Sequence, residues 1–383
     1  MDPRRRFPSH AAAIACVATL VACGGSDDGA TNGGASSGAP PASGGGGTGG
    51  NPPGGEGGAI DFETPAGPPP ALAPVLLAAT YVGGAGDQFL RELTFEGGRV
   101  VARGEGFSVS YALDGTDGQI AGDAATADTK SFDDKPPLPG DPGKAYAIAG
   151  TDLTLRVGYR QAGKNLQQPI FRVFRGEERL WALWGHAAQD VIDKSLGADS
   201  RCYQAWGMPD GHIGVQCWTD GGNSVLAKDP RDLNVPGFDP EWAKGAFQKS
   251  AGGMSSAYVL VDPRDGGRAV SGTFAASHVG KLTVDPWGRV YVARVASSRS
   301  GGGEPQDPFG QDASASSGLF VLDPTLKSAL FNARLGGACQ GGKQAFAAIA
   351  LEGNKLALAG TTCATNLSTK NPVQPSSGGG QDG

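Results

Sequence analysis

The chain has 383 residues, 18% of them charged, and a formal net charge of −6. That balance excludes a protein that grips a nucleic-acid backbone, which needs surplus Lys and Arg to displace counterions. It equally excludes a polybasic contact with membrane headgroups. The length suffices for one large domain, and 64 glycines announce either many turns or low-complexity sequence.

The chain opens with Arg4, Arg5 and Arg6, followed by an apolar run from Ala11 to Ala22. A basic start, a short apolar core and small residues before a cut make a secretory signal. The run is about a dozen residues, short of the roughly 20 that a membrane-spanning helix needs. Arg4-Arg5-Arg6-Phe7 is a loose match to the twin-arginine pattern, and since basic n-regions are common the general secretory route is the expected one. The run ends in Leu20-Val21-Ala22-Cys23, which resembles the lipobox of bacterial lipoproteins. The resemblance implies cleavage of residues 1–22, a diacylglyceryl thioether on Cys23 and acylation of the new amino terminus (palmitate or a similar chain). With Gly24 rather than Asp after the cysteine, it also implies sorting to the outer membrane. The expected partner is therefore the membrane itself, reached through the lipid on Cys23. Removing Asp2 and the three arginines lowers Lys plus Arg from 32 to 29 and Asp plus Glu from 38 to 37, which leaves about −8. No nucleic-acid partner is expected.

Residues 23–70 form the next unit. From Gly24 to Gly58, 16 of 35 positions are glycine, with Ser, Pro, Ala and Asn between them. Such a segment has too little apolar surface to offset chain entropy and is expected to be a disordered tether. Its typical reach is roughly 35–40 Å.

From residue 71 onward, short apolar stretches alternate with turn signals, the pattern of an all-β domain. One phrase recurs. Leu319-Phe320-Val321-Leu322-Asp323-Pro324 matches Tyr258-Val259-Leu260-Val261-Asp262-Pro263, and more loosely Ser224 through Pro230. Each copy is an apolar strand halted by Asp-Pro, which starts a turn and cannot continue a ladder. Phe171 through Gly176 is a degenerate fourth copy. Second strands are expected at 180–185, 269–274 and 330–337, and the opening Ala79-Thr80-Tyr81-Val82-Gly83-Gly84 ends in the same way. Hairpins with a central glycine are expected at 93–102, 282–293 and 349–360. Strand, Gly-Gly, hairpin, variable loop, strand and Asp-Pro together make a four-stranded antiparallel unit. Units of that kind arranged radially form a β-propeller, so the expected fold is an all-β, propeller-like array of four-stranded blades. Four or five blades are countable, and the last lacks its outer strand. It stops at Gly378-Gly379-Gly380-Gln381-Asp382-Gly383, a phrase that elsewhere precedes an apolar strand, as in a fragment or a ring left open.

These features resemble the bacterial SBBP β-propeller repeat. Its first phrase is matched by Thr80 to Asp87, its hairpin by Val284-Asp285 with Gly288 to Ala293, and its Gly-Thr ending by Gly360-Thr361-Thr362. The resemblance spans roughly 76–383, with 108–145 and 231–256 expected as insertions. It implies a fold and brings no catalytic residues. Four cysteines remain after export: Cys202, Cys217, Cys339 and Cys363. They allow three connectivities. Cys202 and Cys339 occupy one place in two blades and Cys217 and Cys363 another, so the expected bridges are Cys202–Cys217 and Cys339–Cys363. Their spacing does not fit a zinc site.

Chemistry is sparse. His186, His212 and His278 survive in the exported domain, without carboxylates or cysteines at metal spacing. No G-x-S-x-G elbow is present, and no glycine run continues into Gly-Lys-Ser/Thr. Asp114-Gly115-Thr116-Asp117-Gly118 lacks the further carboxylates of a calcium loop and reads as a turn. The stretch from Asp128 to Asp141 reads as a solvated insertion. No metal and no cofactor are expected. Tryptophans 181, 184, 206, 218, 242 and 287 pack between blades or offer surface for a sugar or a peptide. The expected function is a non-enzymatic binding or scaffold module with a protein or carbohydrate ligand. Two alternatives are a secreted lyase or hydrolase that uses a channel histidine and a structural or adhesive envelope protein.

Overall fold

The computed structural model describes residues 14–23, 59–60, most of 68–377, and 381–382; its longest gaps in that stretch are 124–142, 237–246 and 296–316. The chain is all-β and built from small sheets that are almost wholly antiparallel. Strands β1 (Ile14–Cys23), β2 (Ala59–Ile60) and β3 (Pro74–Val82) come first. Next is a sheet of β4 (Glu92–Glu96), β5 (Arg99–Arg103), β6 (Phe107–Ala112) and β7 (Gln119–Gly122), in that order. The second sheet contains β8 (Lys144–Ile148), β9 (Leu153–Gln161), β10 (Gln167–Arg175) and β11 (Glu178–Leu183), with β2 added in parallel beside β8. A short helix, α1 (Ala188–Asp193), leads to β12 (Ser200–Gly207) and β13 (Ile213–Thr219).

The short pair β14 (Lys228–Asp229) and β15 (Asp232–Pro236) interrupts this third sheet, which is completed by β16 (Phe247–Gln248), β17 (Ser255–Asp262) and β18 (Arg268–Ala275). The fourth sheet is β19 (Lys281–Val284), β20 (Val290–Val295), β21 (Ser317–Leu322) and β22 (Ala329–Leu335). The fifth joins the two ends of the chain. It contains β23 (Ala345–Glu352), β24 (Lys355–Thr361), then β1 and β3, with β25 (Gln381–Asp382) against the start of β1.

The turns explain the strand ends. Gly97 and Gly98, between β4 and β5, have φ of +57° and +73°, the left-handed pair that a two-residue hairpin requires. In the Asp-Pro phrases the carboxylate itself makes the turn. Asp229, Asp262 and Asp323 each accept the backbone N–H two residues on, at 2.8, 2.9 and 3.0 Å. The repeated aspartate is therefore turn chemistry. Gly360 of the Gly-Thr ending has a steric cause: a Cβ there would lie 2.1 Å from the carbonyl oxygen of Ala345, so the neighbouring backbone leaves no room for a side chain.

Apolar clusters lie between consecutive sheets. One joins the second sheet to the third around Phe171, Cys202 and Val259. Another joins third and fourth around Tyr258, Val292 and Phe320. Tyr291, Phe331 and Leu358 join fourth and fifth, while Val82, Tyr111 and Ala359 join the fifth back to the first. Each sheet thus has at least one apolar face covered by a neighbour, as packed layers require.

Two sequence expectations change. The stretch 108–145 is not wholly an insertion: β6 and β7 are the third and fourth strands of the first sheet, held there because Phe107, Val109 and Tyr111 alternate into the core. Residues 231–256 likewise contain β15, β16 and the start of β17. The apolar part of the loose copy at 224–230 is a single 3-10 turn, Val225–Ala227, followed by the two-residue strand β14, rather than one continuous strand. The Ser224 hydroxyl accepts the Leu226 N–H at 3.0 Å and caps it. Asp114 accepts the N–H of Thr116 at 2.9 Å, as expected of a plain turn.

Candidate binding face

Cys202 and Cys217 stand directly opposite each other in β12 and β13 and form a disulfide, as expected from their places in the repeat. Both are fully buried in the core between the second and third sheets. Cys363 is disulfide-bonded too; Cys339 lies outside the described residues, as do His278, Trp242 and the acidic stretch from Asp128 to Asp141. Cys23 ends β1, opposite Pro74 of β3.

Strand alternation turns the neighbours of the disulfide to the other face. Arg201 faces Trp218 across the same strand pair. Its guanidinium lies 5.1 Å from the Trp218 ring centroid and 5.4 Å from that of Tyr159 on β9. The Arg201 Nε donates to the Gln167 side-chain oxygen, and the Gln167 backbone N–H is held by Asp199 at 2.8 Å. All four side chains of this stack are half-buried. Beside it, Tyr203 has its phenol pKa raised, first by burial and against a hydrogen bond with Arg201. The result is a planar cation pinned between two aromatic faces from adjacent sheets, a geometry that suits a carboxylate beside a flat ring.

The other tryptophans among the described residues pack against the protein itself. Trp181 stacks on Phe171 at 5.8 Å, Trp206 donates to the Met208 sulfur at 3.2 Å, and Trp287 receives the Arg289 guanidinium at 5.6 Å. Trp184 is buried with φ of +52°.

The structure does not bring His186 and His212 into one hydrogen-bonded group; each has its own neighbours. His212 sits in the β12–β13 turn, where Nδ1 is 2.7 Å from Asp210 and Nε2 is 4.0 Å from Asp262. Asp262 is itself tied to Arg264 at 2.8 Å, and that hydrogen bond first of all holds its carboxyl below the usual range. His186 follows Trp184 in the loop after β11. One ring nitrogen bonds the Pro230 carbonyl, and Nε2 is buried without a partner. Burial lowers the His186 pKa, against the bond to Pro230 and the pull of Asp190, Asp232 and Asp229. No group of three metal-binding side chains converges among the described residues.

The His186 shift sets a pH dependence. Its folded pKa lies below its unfolded value of about 6.5, so the unfolded chain takes up the proton first. The associated stability is present above that value and is lost as pH falls toward the folded pKa. The wild-type melting temperature is expected to drop as pH falls below about 6.5, and His186→Gln to flatten that fall. An unchanged slope in the variant would remove His186 as the cause.

Sequence reasoning picked out Trp218 but missed Tyr159, Gln167 and Arg201. The stack is assembled from two sheets, and no spacing along the chain records that meeting. No family model matches this sequence, and no curated protein is similar enough to match it. Among the described residues no helix is long and apolar enough to cross a membrane.

Proposed function

We propose that the chain is a lipid-anchored envelope protein whose body is a propeller-like ring of four-stranded sheets, and that it acts as a non-enzymatic binding module. The Tyr159–Arg201–Trp218 stack carries the binding reading. A guanidinium already desolvated on two sides by aromatic faces and oriented by Gln167 loses little freedom when it takes a carboxylate. The ligand class it fits is an acidic carbohydrate of uronate type. The succession from the second sheet through the fifth and back to the first, packed through four apolar clusters, supports the ring. The lipobox-like Leu20-Val21-Ala22-Cys23 and the glycine tether support anchorage at the outer membrane.

The test is titration of the exported protein with uronate-containing and neutral oligosaccharides. Uronate binding is expected to fall at least about tenfold in Arg201→Ala and Trp218→Ala, in line with loss of one charge-assisted contact, with melting temperatures close to wild type. Equal affinity in the variants, or no preference for uronates, would overturn the assignment. Intact mass tests anchorage: a mature chain beginning at an unmodified residue other than Cys23 would refute it.

A lyase or hydrolase reading has one observation in its favour, the partnerless buried Nε2 of His186 with the opposite nitrogen held by a carbonyl. It requires polymer cleavage that His186→Gln abolishes.

A further inference from the structure

The fifth sheet is assembled unlike the other four, because its third strand comes from the leader. In the fourth sheet the order is β19-β20-β21-β22, all antiparallel neighbours. In the fifth, β23 and β24 take the first two places, β1 the third and β3 the fourth. The correspondence extends to detail. Third and fourth strands slip register toward the end of the third strand in four of the five sheets: at Val321/Leu322, Leu260/Val261 and Val173/Phe174 in three of them, and at Leu20/Val21 in β1, while β6 and β7 of the first sheet pair without a slip. Sequence 14–23 therefore sits in a real third-strand position.

That position is built by the rest of the chain. On one side, β24 is held by its hairpin with β23. On the other, β3 is fastened along its outer edge by the segment after β24. Ala79 and Lys370 exchange both backbone hydrogen bonds at 2.8 and 3.0 Å. The Tyr81 hydroxyl donates to the Ala364 carbonyl at 2.9 Å and accepts the Leu367 N–H at 2.7 Å, and Gln374 bonds Thr80 and Gly83. Since β3 and β24 are each antiparallel to β1, they run parallel to one another, about two strand spacings or roughly 10 Å apart, too far to pair directly.

We propose that the gap between β3 and β24 is a strand-acceptor site whose occupant in the uncut chain is the leader strand Ile14–Cys23, so that folding before export withdraws the leader and the cut before Cys23 opens the site. The inference rests on the export reading above for its cut, and on the pairing alone for its occupant. Removal of all but Cys23 from the slot leaves two facing rows of backbone donors and acceptors, the arrangement that captures an extended segment.

The experiment compares hydrogen exchange in three samples: chain 1–383 with Cys23→Ser, chain 24–383, and chain 24–383 with a synthetic peptide of residues 14–22 carrying a lysine tail. Amides at 356–359 and 75–82 that face the slot are expected to be protected in the first. In the second they should exchange at least about a hundredfold faster, the loss of a ladder being the loss of protection, and the peptide should restore them. Ala18→Pro in the uncut chain is expected to abolish protection, since proline removes a ladder donor. Equal protection with and without the leader would overturn the proposal, and so would self-association of 24–383 that protects the slot without peptide, which would make a second copy the occupant. Failure of the export reading shows separately, as an uncut chain in the mass measurement with these exchange results intact.

Discussion

Asp285→Ala is expected to lower stability by about 3–5 kcal/mol, the cost of stripping one partner from a buried ion pair. Asp285 and Arg289 are each about 4% exposed and meet through Arg289 Nε at 2.5 Å. The carboxylate is also the hub of the β19–β20 turn. Its Oδ1 accepts the N–H groups of Trp287 and Arg289 at 3.0 and 2.9 Å, and Oδ2 accepts the Tyr291 hydroxyl at 3.2 Å. Truncation leaves a guanidinium and several donors to be satisfied in a site that excludes water. The measurement is chemical denaturation of wild type, Asp285→Ala, Arg289→Met and the double variant. The double variant is expected to be less damaged than the sum of the singles, because an apolar replacement of both partners leaves no stranded charge. Additive losses would mean that the two groups act independently. The aspartate of the hairpin phrase would then be a turn residue like Asp323 and no more.

That aspartate shows what could be read from the sequence. Turn chemistry is local, so Gly97-Gly98 and the Asp-Pro phrases at Asp262 and Asp323 marked their strand ends correctly. Continuous apolar runs ahead of those phrases identified β17 and β21, and alternation about a central glycine identified the hairpin that contains β24. The reading failed at Ser224, where a hydroxyl within hydrogen-bond reach of the Leu226 N–H favours a 3-10 turn over the extended form that Val225-Leu226 would otherwise take. It failed again at β6, whose Phe107, Val109 and Tyr111 alternate plainly but lack the turn phrase that flags the other units. The binding face was least legible. Trp218 stood out by type, yet Tyr159 and Arg201 gain their meaning from the contact between second and third sheets. Residues 14–23 read as an export signal only, since nothing in their sequence announces β3 and β24 as their partners.

The second large effect concerns the bridge behind the Arg201 stack. The pair Cys202→Ala and Cys217→Ala is expected to cost about 3 kcal/mol, the loop-closure value for a ring of some 15 residues, matching the separation of 15 between the two cysteines. On the proposed binding role of the Arg201 stack, the same change should weaken uronate binding without touching a contact residue. Arg201 and Trp218 lie one position away on β12 and β13 and face each other only in the register that the bridge fixes. Between Cys202 and Gln204 that register already slips, so the strand pair has an alternative pairing close at hand. Oxidised protein is the proper reference, because such bridges persist under oxidising conditions. Wild-type protein isolated with its thiols reduced should lose at least as much stability as the double variant, which retains the disulfide of Cys363. A double variant within about 0.5 kcal/mol of the oxidised wild type, the range of an ordinary surface change, would show that Gln204, Gln216 and Tyr258, linked at 2.8 and 3.1 Å, hold the strands without the bridge. The cysteines would then have no part in positioning Arg201.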